Sequence, residues 1–366
     1  MVVERSSPRG ANFREIQASR EVEGSDARRL AAVDRLRDVR DRGNSPPLAQ
    51  VVSTNLGHLW ATGGRWDATQ RGRSPELIAI RNKFLLRPGY PGGDGGEGAV
   101  QRLVKSDGLQ LRLELLLLFD AQCRYDPGKR VQNVRRIAPR ADEDFTSWSQ
   151  LVLASSRPTA GTGRGPAQLR IRQITEALRV LQDEHLVAIP TDPAGRRKYD
   201  KWQLLSEAGG PDEPPYVAAR LGKGAFYISR HFFTSLWIFA LTDAEIAAFL
   251  MLSFLRARFP AKHDEKGVYV VDELRQAAFG LTRYAYRGHS ALHRFRLIDR
   301  MPDPERDYET GRILDFRTKY AKGKGSIQPN TFKINDAALE APALKKIHQV
   351  LAAPTQDDQL RRMGWG

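Results

Sequence analysis

The sequence predicts a mainly α-helical chain with small β-hairpins, an α+β fold made of two successive helical units. Three observations predict it. Apolar residues recur at three- and four-residue spacing through most long segments. Short alternating apolar and polar runs come only after the helical stretches. One order of elements, helix, helix, helix, basic hairpin, occurs twice, over roughly 106–206 and 225–335. The two copies share no obvious identity, so the repeat is one of architecture.

Along the chain, residues 1–45 are charged and poor in aromatic residues. Ser25 is a plausible cap and Gly43 a stop for one helix, whose apolar stripe is Leu30, Val33 and Leu36. The stripe is narrow for a core, and the segment reads as a helical or mobile arm, with self-association as one role. Residues 46–105 read as a partly ordered segment that includes the Pro/Gly-rich stretch 86–98.

The first unit spans 106–208. The run LQLRLELLLLFDAQCRY from Leu109 to Tyr125 predicts a buried helix, and DFTSWSQLVLASS a second, short one. A third follows Gly165, with Pro166 in its first turn. Ile171, Ile174, Leu178 and Leu181 share one face of it, and Gln168, Arg172, Glu176 and Arg179 the other. A hairpin then turns at DPAG, with Arg196, Arg197, Lys198 and Lys201 on its outgoing side.

Residues 209–224, rich in Gly and Pro, read as a linker. The second unit spans 225–335. It predicts a strand, a helix capped at Thr242 or Asp243, a helix from Asp272 and a third over 282–301. On that third helix, Leu281, Tyr284, Ala285, Ala291, Leu292, Phe295 and Ile298 are assigned to the core side. Arg283, Tyr286, His289, Ser290, His293 and Arg294 are assigned outward or to the flank, with Arg287 at the edge. The stretch 311–335 predicts a long hairpin with Lys319, Lys322 and Lys324 at a glycine-bearing tip. Residues 336–366 form a tail with a short amphipathic piece.

Charge narrows the function classes. Lys+Arg is 58 against 43 Asp+Glu, a net +15, and 41% of residues are hydrophobic. A polyanionic partner follows: DNA, RNA or an acidic membrane surface. GC-rich coding is another source of the arginine excess. Between Leu281 and Asn335 stand twelve Lys/Arg and six Asp/Glu. Cys123 is the single cysteine, which leaves no intrachain disulfide and points to a reducing cytosol. The N-terminus has no signal-peptide apolar stretch, and no run reaches the ~20 apolar residues of a membrane helix.

The stretch ITEALRVLQDEHLVAIPTDPAGRRKY resembles the winged helix-turn-helix family of DNA-binding proteins. Ala177, Leu178, Leu181, Leu186 and Val187 match its recurring pattern, with a basic wing after them. The family usually has Gly before Leu-Val, where this chain has His185, at a position that often needs positive φ. The second copy resembles the family by element order. The resemblance implies tandem winged domains that bind double-stranded DNA, one helix of each in the major groove and its wing on phosphates. The residues it implicates are Gln168, Arg172, Gln173, Arg179, Arg196, Arg197, Lys198, Arg283, Tyr286, Arg287, Ser290, His293, Arg294, Lys319, Lys322 and Lys324. For the hairpin alone, a solvated edge guarded by lysine is the alternative.

No P-loop is present, and His289 and His293, at i, i+4, lack a third ligand for a metal. No catalytic pair of carboxylates can be argued. A non-enzymatic bacterial, cytosolic protein without cofactor or metal is expected. A sequence-specific transcriptional regulator leads. A plasmid or integrated-element replication initiator is the close alternative, and a winged protein-interaction scaffold is an alternative of another class.

Overall fold

The computed structural model describes residues 26–41, 45–67, 71–92, 95–105, 108–141, 144–154, 165–222, 224–308, 311, 313–314 and 329–353. They are mainly helical, with short antiparallel strand pairs. Helix α1 (26–38) is followed by α2 (Leu48–Thr62), β1 (Leu77–Arg81), α3 (Asn82–Leu85) and α4 (Ala99–Lys105). The first unit has α5 (Gln110–Arg124), a 3-10 turn (Trp148–Gln150), α6 (Pro166–Asp183), strand β2 (Val187–Ala188), a second 3-10 turn (Tyr199–Lys201) and strand β3 (Gln203–Leu204). The second has β4 (Ala225–Ser229), α7 (His231–Thr234), α8 (Trp237–Ala240), α9 (Asp243–Arg258), α10 (Pro260–Lys266), α11 (Asp272–Phe279), α12 (Arg283–Arg294), β5 (Ile298–Arg300) and β6 (Phe332–Ile334). Helix α13 (Ala343–Ala352) closes the described chain.

Helix α5 is buried on nearly all sides, from Leu111 to Cys123. Its polar residues are therefore tied down. Gln122 accepts from the Ala79 N–H (2.9 Å) and donates to the Ala79 carbonyl (2.8 Å), so it completes the inner edge of β1. Asp120 holds Arg124 (2.6 Å) and Arg135 (2.7 Å). Burial alone would raise its carboxyl, but the two guanidinium groups outweigh that and hold it below the usual range. The Cys123 thiol is buried, and burial pushes it well up.

Three expectations about order need correction. The described residues of 46–105 fold into the core: β1 pairs along its whole length with β4, Leu77 opposite Ser229 and Arg81 opposite Ala225. The described residues of 209–224 are structural also. Tyr216 is fully buried, its N–H donates to the Leu204 carbonyl (2.8 Å), and the Val131 N–H donates back to the Tyr216 carbonyl (3.0 Å). Buried Glu207 accepts from both the main chain and the guanidinium of Arg81. Residues 26–41 are no separate arm. Val33 is 2% exposed in the common core. Arg29 pairs with Glu245 (2.7 Å) and lies 4.6 Å over the Phe295 ring, while Asp41 takes both terminal nitrogens of Arg170 (2.7 and 2.9 Å). One short segment thus touches both units. The stripe expected to meet a partner is used within the chain, because Arg29, Asp26 and Asp41 each find a charge on the helices beneath.

The second expected helix of the first unit shrinks to the turn Trp148–Gln150. Elsewhere the local signals act as expected. Pro166 opens α6 after Gly165, Thr242 caps α9 with Glu245 in a capping box, and α11 starts at Asp272. The hairpin after α12 is arranged differently. The strand opposite β6 is Ile298–Arg300, directly after the helix, with Arg300 opposite Phe332. Val268 bridges Phe332 from the other side (2.8 Å both ways), so three segments lie side by side. Lys319, Lys322 and Lys324 lie outside the described residues.

Helix α12 sits closely on α9. A Cβ on Gly288 would come within 2.9 Å of the Glu245 Cα and 3.0 Å of the Ala244 carbonyl oxygen, so only glycine allows this approach. The ends of α6 and α12 are built alike. The Leu186 N–H donates to the Leu181 carbonyl (2.8 Å), and His185 to Gln182 (3.0 Å). Likewise Leu297 donates to Leu292 (2.9 Å), and Arg296 to His293 (2.9 Å). Both are Schellman closures.

Candidate nucleic-acid interface

The buried face of α12 is Ala285, His289, Leu292 and His293. These positions, at i, i+4, i+7 and i+8, put one stripe on α9 and the strands. The opposite arc carries Arg283, Tyr284, Arg287 and Ser290, all exposed, with Arg294 half-exposed at its end. The helix holds no carboxylate of its own. Arg283 reaches Asp272 (3.3 Å) and Arg294 reaches Asp26. Among the described residues no carboxylate pairs with Arg287 at ion-pair distance.

Arg283, Arg287, Ser290 and Arg294 therefore stand together as the sequence assigns them. Three expected outward residues do not. His293 is 1% exposed; its Nδ1 lies 3.2 Å from the Ile298 carbonyl and its ring meets Tyr308 edge-on at 5.2 Å. Tyr286 is half-buried against His289, and burial, with Asp272 adding, pushes its hydroxyl up to about 12. His289 is buried too, packed on Phe332. The reason is the start of β5. The strand follows α12 after three residues and folds back along its flank, which widens the covered face. The same phase turns Tyr284 out of the core side assigned to it; it is 76% exposed.

Burial, then Arg300 and His293, lower the His289 pKa to about 4, so its ring is neutral near pH 7. Among the described residues no group of three His, Cys, Asp or Glu side chains could hold a metal ion. No helix among them is long and apolar enough to cross a membrane.

Helix α6 offers a different surface. Ile174, Leu178 and Leu181 are buried, as their spacing predicts, Ile171 is half-buried, and Ala177 is buried beside them. Gln168, Arg172 and Arg179 are exposed, but Arg172 pairs with Glu176 (2.8 Å) and the same face carries Asp183. Gln173 faces sideways into a cleft of ≈ 580 Å³ lined also by Leu36, Leu109 and Val180. The DPAG turn forms as expected. Asp192 Oδ1 accepts from the Ala194 and Arg196 N–H groups (3.0 and 2.8 Å), and Gly195 takes φ 76°. Arg196, Arg197 and Lys198 are exposed on it, with Arg196 held to Asp192 (3.0 Å).

Several arginines counted in the net charge are not at the surface. Arg135, Arg170, Arg275 and Arg300 are buried, the first three paired with Asp120, Asp41 and Asp272. Exposed basic residues stand on α12 and the first hairpin, and also elsewhere, among them Lys129, Arg130, Arg258 and Lys262. The residue that sequence reasoning missed is Tyr284. Its signal was present: shifting the apolar stripe by one position places the two histidines inside and this tyrosine outside. No protein-family model, curated protein or solved structure matches this chain.

Proposed function

We propose that this chain is a sequence-specific double-stranded DNA-binding protein of the tandem winged helix-turn-helix kind, acting as a transcriptional regulator. The observation that carries the reading is α12. It is a helix with arginines at 283, 287 and 294 on its outer arc, no carboxylate of its own, and a close seat on α9. Arginine on such an arc can pair with guanine edges in the major groove. The element order supports the same reading. Helix α9 is followed by the short α10, the segment at Val268, α11, α12, β5 and β6, and Val268, β6 and β5 lie side by side.

The two units contribute unequally. The outer face of α6 carries both signs of charge, so it adds less to attraction for a polyanion than α12 does. This inequality favours a second reading, a replication initiator with unmatched halves. Sequencing the DNA recovered with the protein from cells separates the two. A set of promoters supports the regulator, and one origin-like repeat array supports the initiator. Recovery of nothing above background contradicts both.

A further inference from the structure

Tyr284 is largely exposed, on the rim of a cleft of ≈ 470 Å³ that Gln101, Arg112 and Asp243 also line. It lies in the first turn of α12, after the Thr282 cap, whose hydroxyl accepts from the Ala285 N–H (3.2 Å). The ring makes no close ring contact among the described residues and is 76% exposed. An aromatic ring left in water forgoes the stabilisation that burial would bring. Its neighbours tell what it faces. Arg283 precedes it and Arg287 follows one turn on, so it stands within the positive arc. Ala291, one further turn along the same side, continues an apolar line beside the arginines. The opening residues of a helix docked in the major groove are those that meet base edges. The apolar feature on those edges is the thymine methyl group.

We propose that Tyr284 is a specificity-determining residue of the DNA interface, its ring making apolar contact with a thymine methyl group in the major groove. This rests on the DNA-binding reading above. Arg287 supplies the polar contact to the neighbouring base pair. The tyrosine hydroxyl takes no part, so phenylalanine serves equally.

The test uses the full chain and duplexes selected by it from a randomised library. Each thymine of the selected site is replaced in turn by uracil, which removes only the methyl group. Affinity is then followed by fluorescence anisotropy. One methylene-sized group is worth about 0.8 kcal/mol, about fourfold in affinity. One uracil position should weaken the wild type by about that factor. Tyr284→Ala should bind the thymine site as weakly and be indifferent to uracil there, while Tyr284→Phe behaves as wild type. Affinity for unrelated duplex and the melting temperature should be unchanged, because the side chain is exposed. An unchanged uracil response in Tyr284→Ala, or a Tyr284→Phe variant as weak as the alanine one, overturns the methyl contact and leaves DNA binding standing. A wild-type chain that binds no duplex overturns both.

Discussion

His185 and Arg296 occupy the same place in the two units. Each is the left-handed residue that closes a long helix, at φ 56° and 65°, and each is followed by a buried leucine that enters a strand. A residue with a Cβ holds this conformation at a cost of about 1–2 kcal/mol. Glycine holds it without that cost but loses more chain entropy on folding. His185→Gly and Arg296→Gly should therefore each stabilise the chain, by about 0.5–1 kcal/mol. Valine at either position should destabilise it by more. Urea unfolding of the four variants checks this; glycine variants no more stable than wild type would show that neither site is strained.

The segment 26–41 should matter to stability. Arg29 and Glu245 are both largely buried, and Glu245 also accepts from the Thr242 N–H (2.9 Å). Removing one partner of a buried pair costs about 3–5 kcal/mol, and less where some water reaches it. Arg29→Ala should cost about 2–3 kcal/mol, since Glu245 keeps its capping bond. A chain lacking residues 1–41 should lose more, because Val33 and the Asp41–Arg170 pair go with it. Unfolding midpoints equal to wild type for both would restore the sequence-based picture of an independent arm.

Acid should weaken the second unit through His289. The ring is neutral in the folded chain down to about pH 4, held there by burial and by Arg300 and His293 nearby. In the unfolded chain it takes a proton near pH 6.5. The unfolded state thus binds more protons between these values, and stability falls as pH drops from about 6.5 to about 4. The full loss from this one residue is about 3 kcal/mol. Below that window it no longer grows. Unfolding of His289→Gln across the same pH range should show a shallower decline than wild type. Parallel curves would mean that His289 is not the group responsible.

Much of this architecture was legible in the sequence, and the parts that were not share a cause. Helix boundaries set by Pro166, Thr242 and Asp272 act through neighbouring residues, so they could be read directly. The His185 position could be read because Leu-Val follows it. The same signal stands at Arg296, which Leu-Ile follows. Pairings across long separations could not be read. Nothing near LIAIR names AFYIS as its partner, 148 residues on. Nothing in the charged stretch at 26–41 names Glu245 or Arg170. The phase of α12 was missed for a different reason. Histidine and tyrosine suit either face of a helix, so RYAYRGHSALHR allows two stripes one position apart, and β5 decides between them.

The central claim is that α12 meets DNA, and the salt dependence of binding tests it most directly. Fluorescence anisotropy of a selected duplex should be followed over a range of salt for wild type, Arg287→Ala, and a Lys319, Lys322 and Lys324 to alanine triple variant. If the two units together neutralise ~6–8 phosphates, log K should fall against log salt with a slope of about −5 to −7. Arg287→Ala should lose about 1–3 kcal/mol at particular base pairs and nearly keep the slope. The lysine variant should weaken on every sequence alike and flatten the slope. A flat salt response in the wild type, or equal affinity for heparin and for every duplex, would contradict the account.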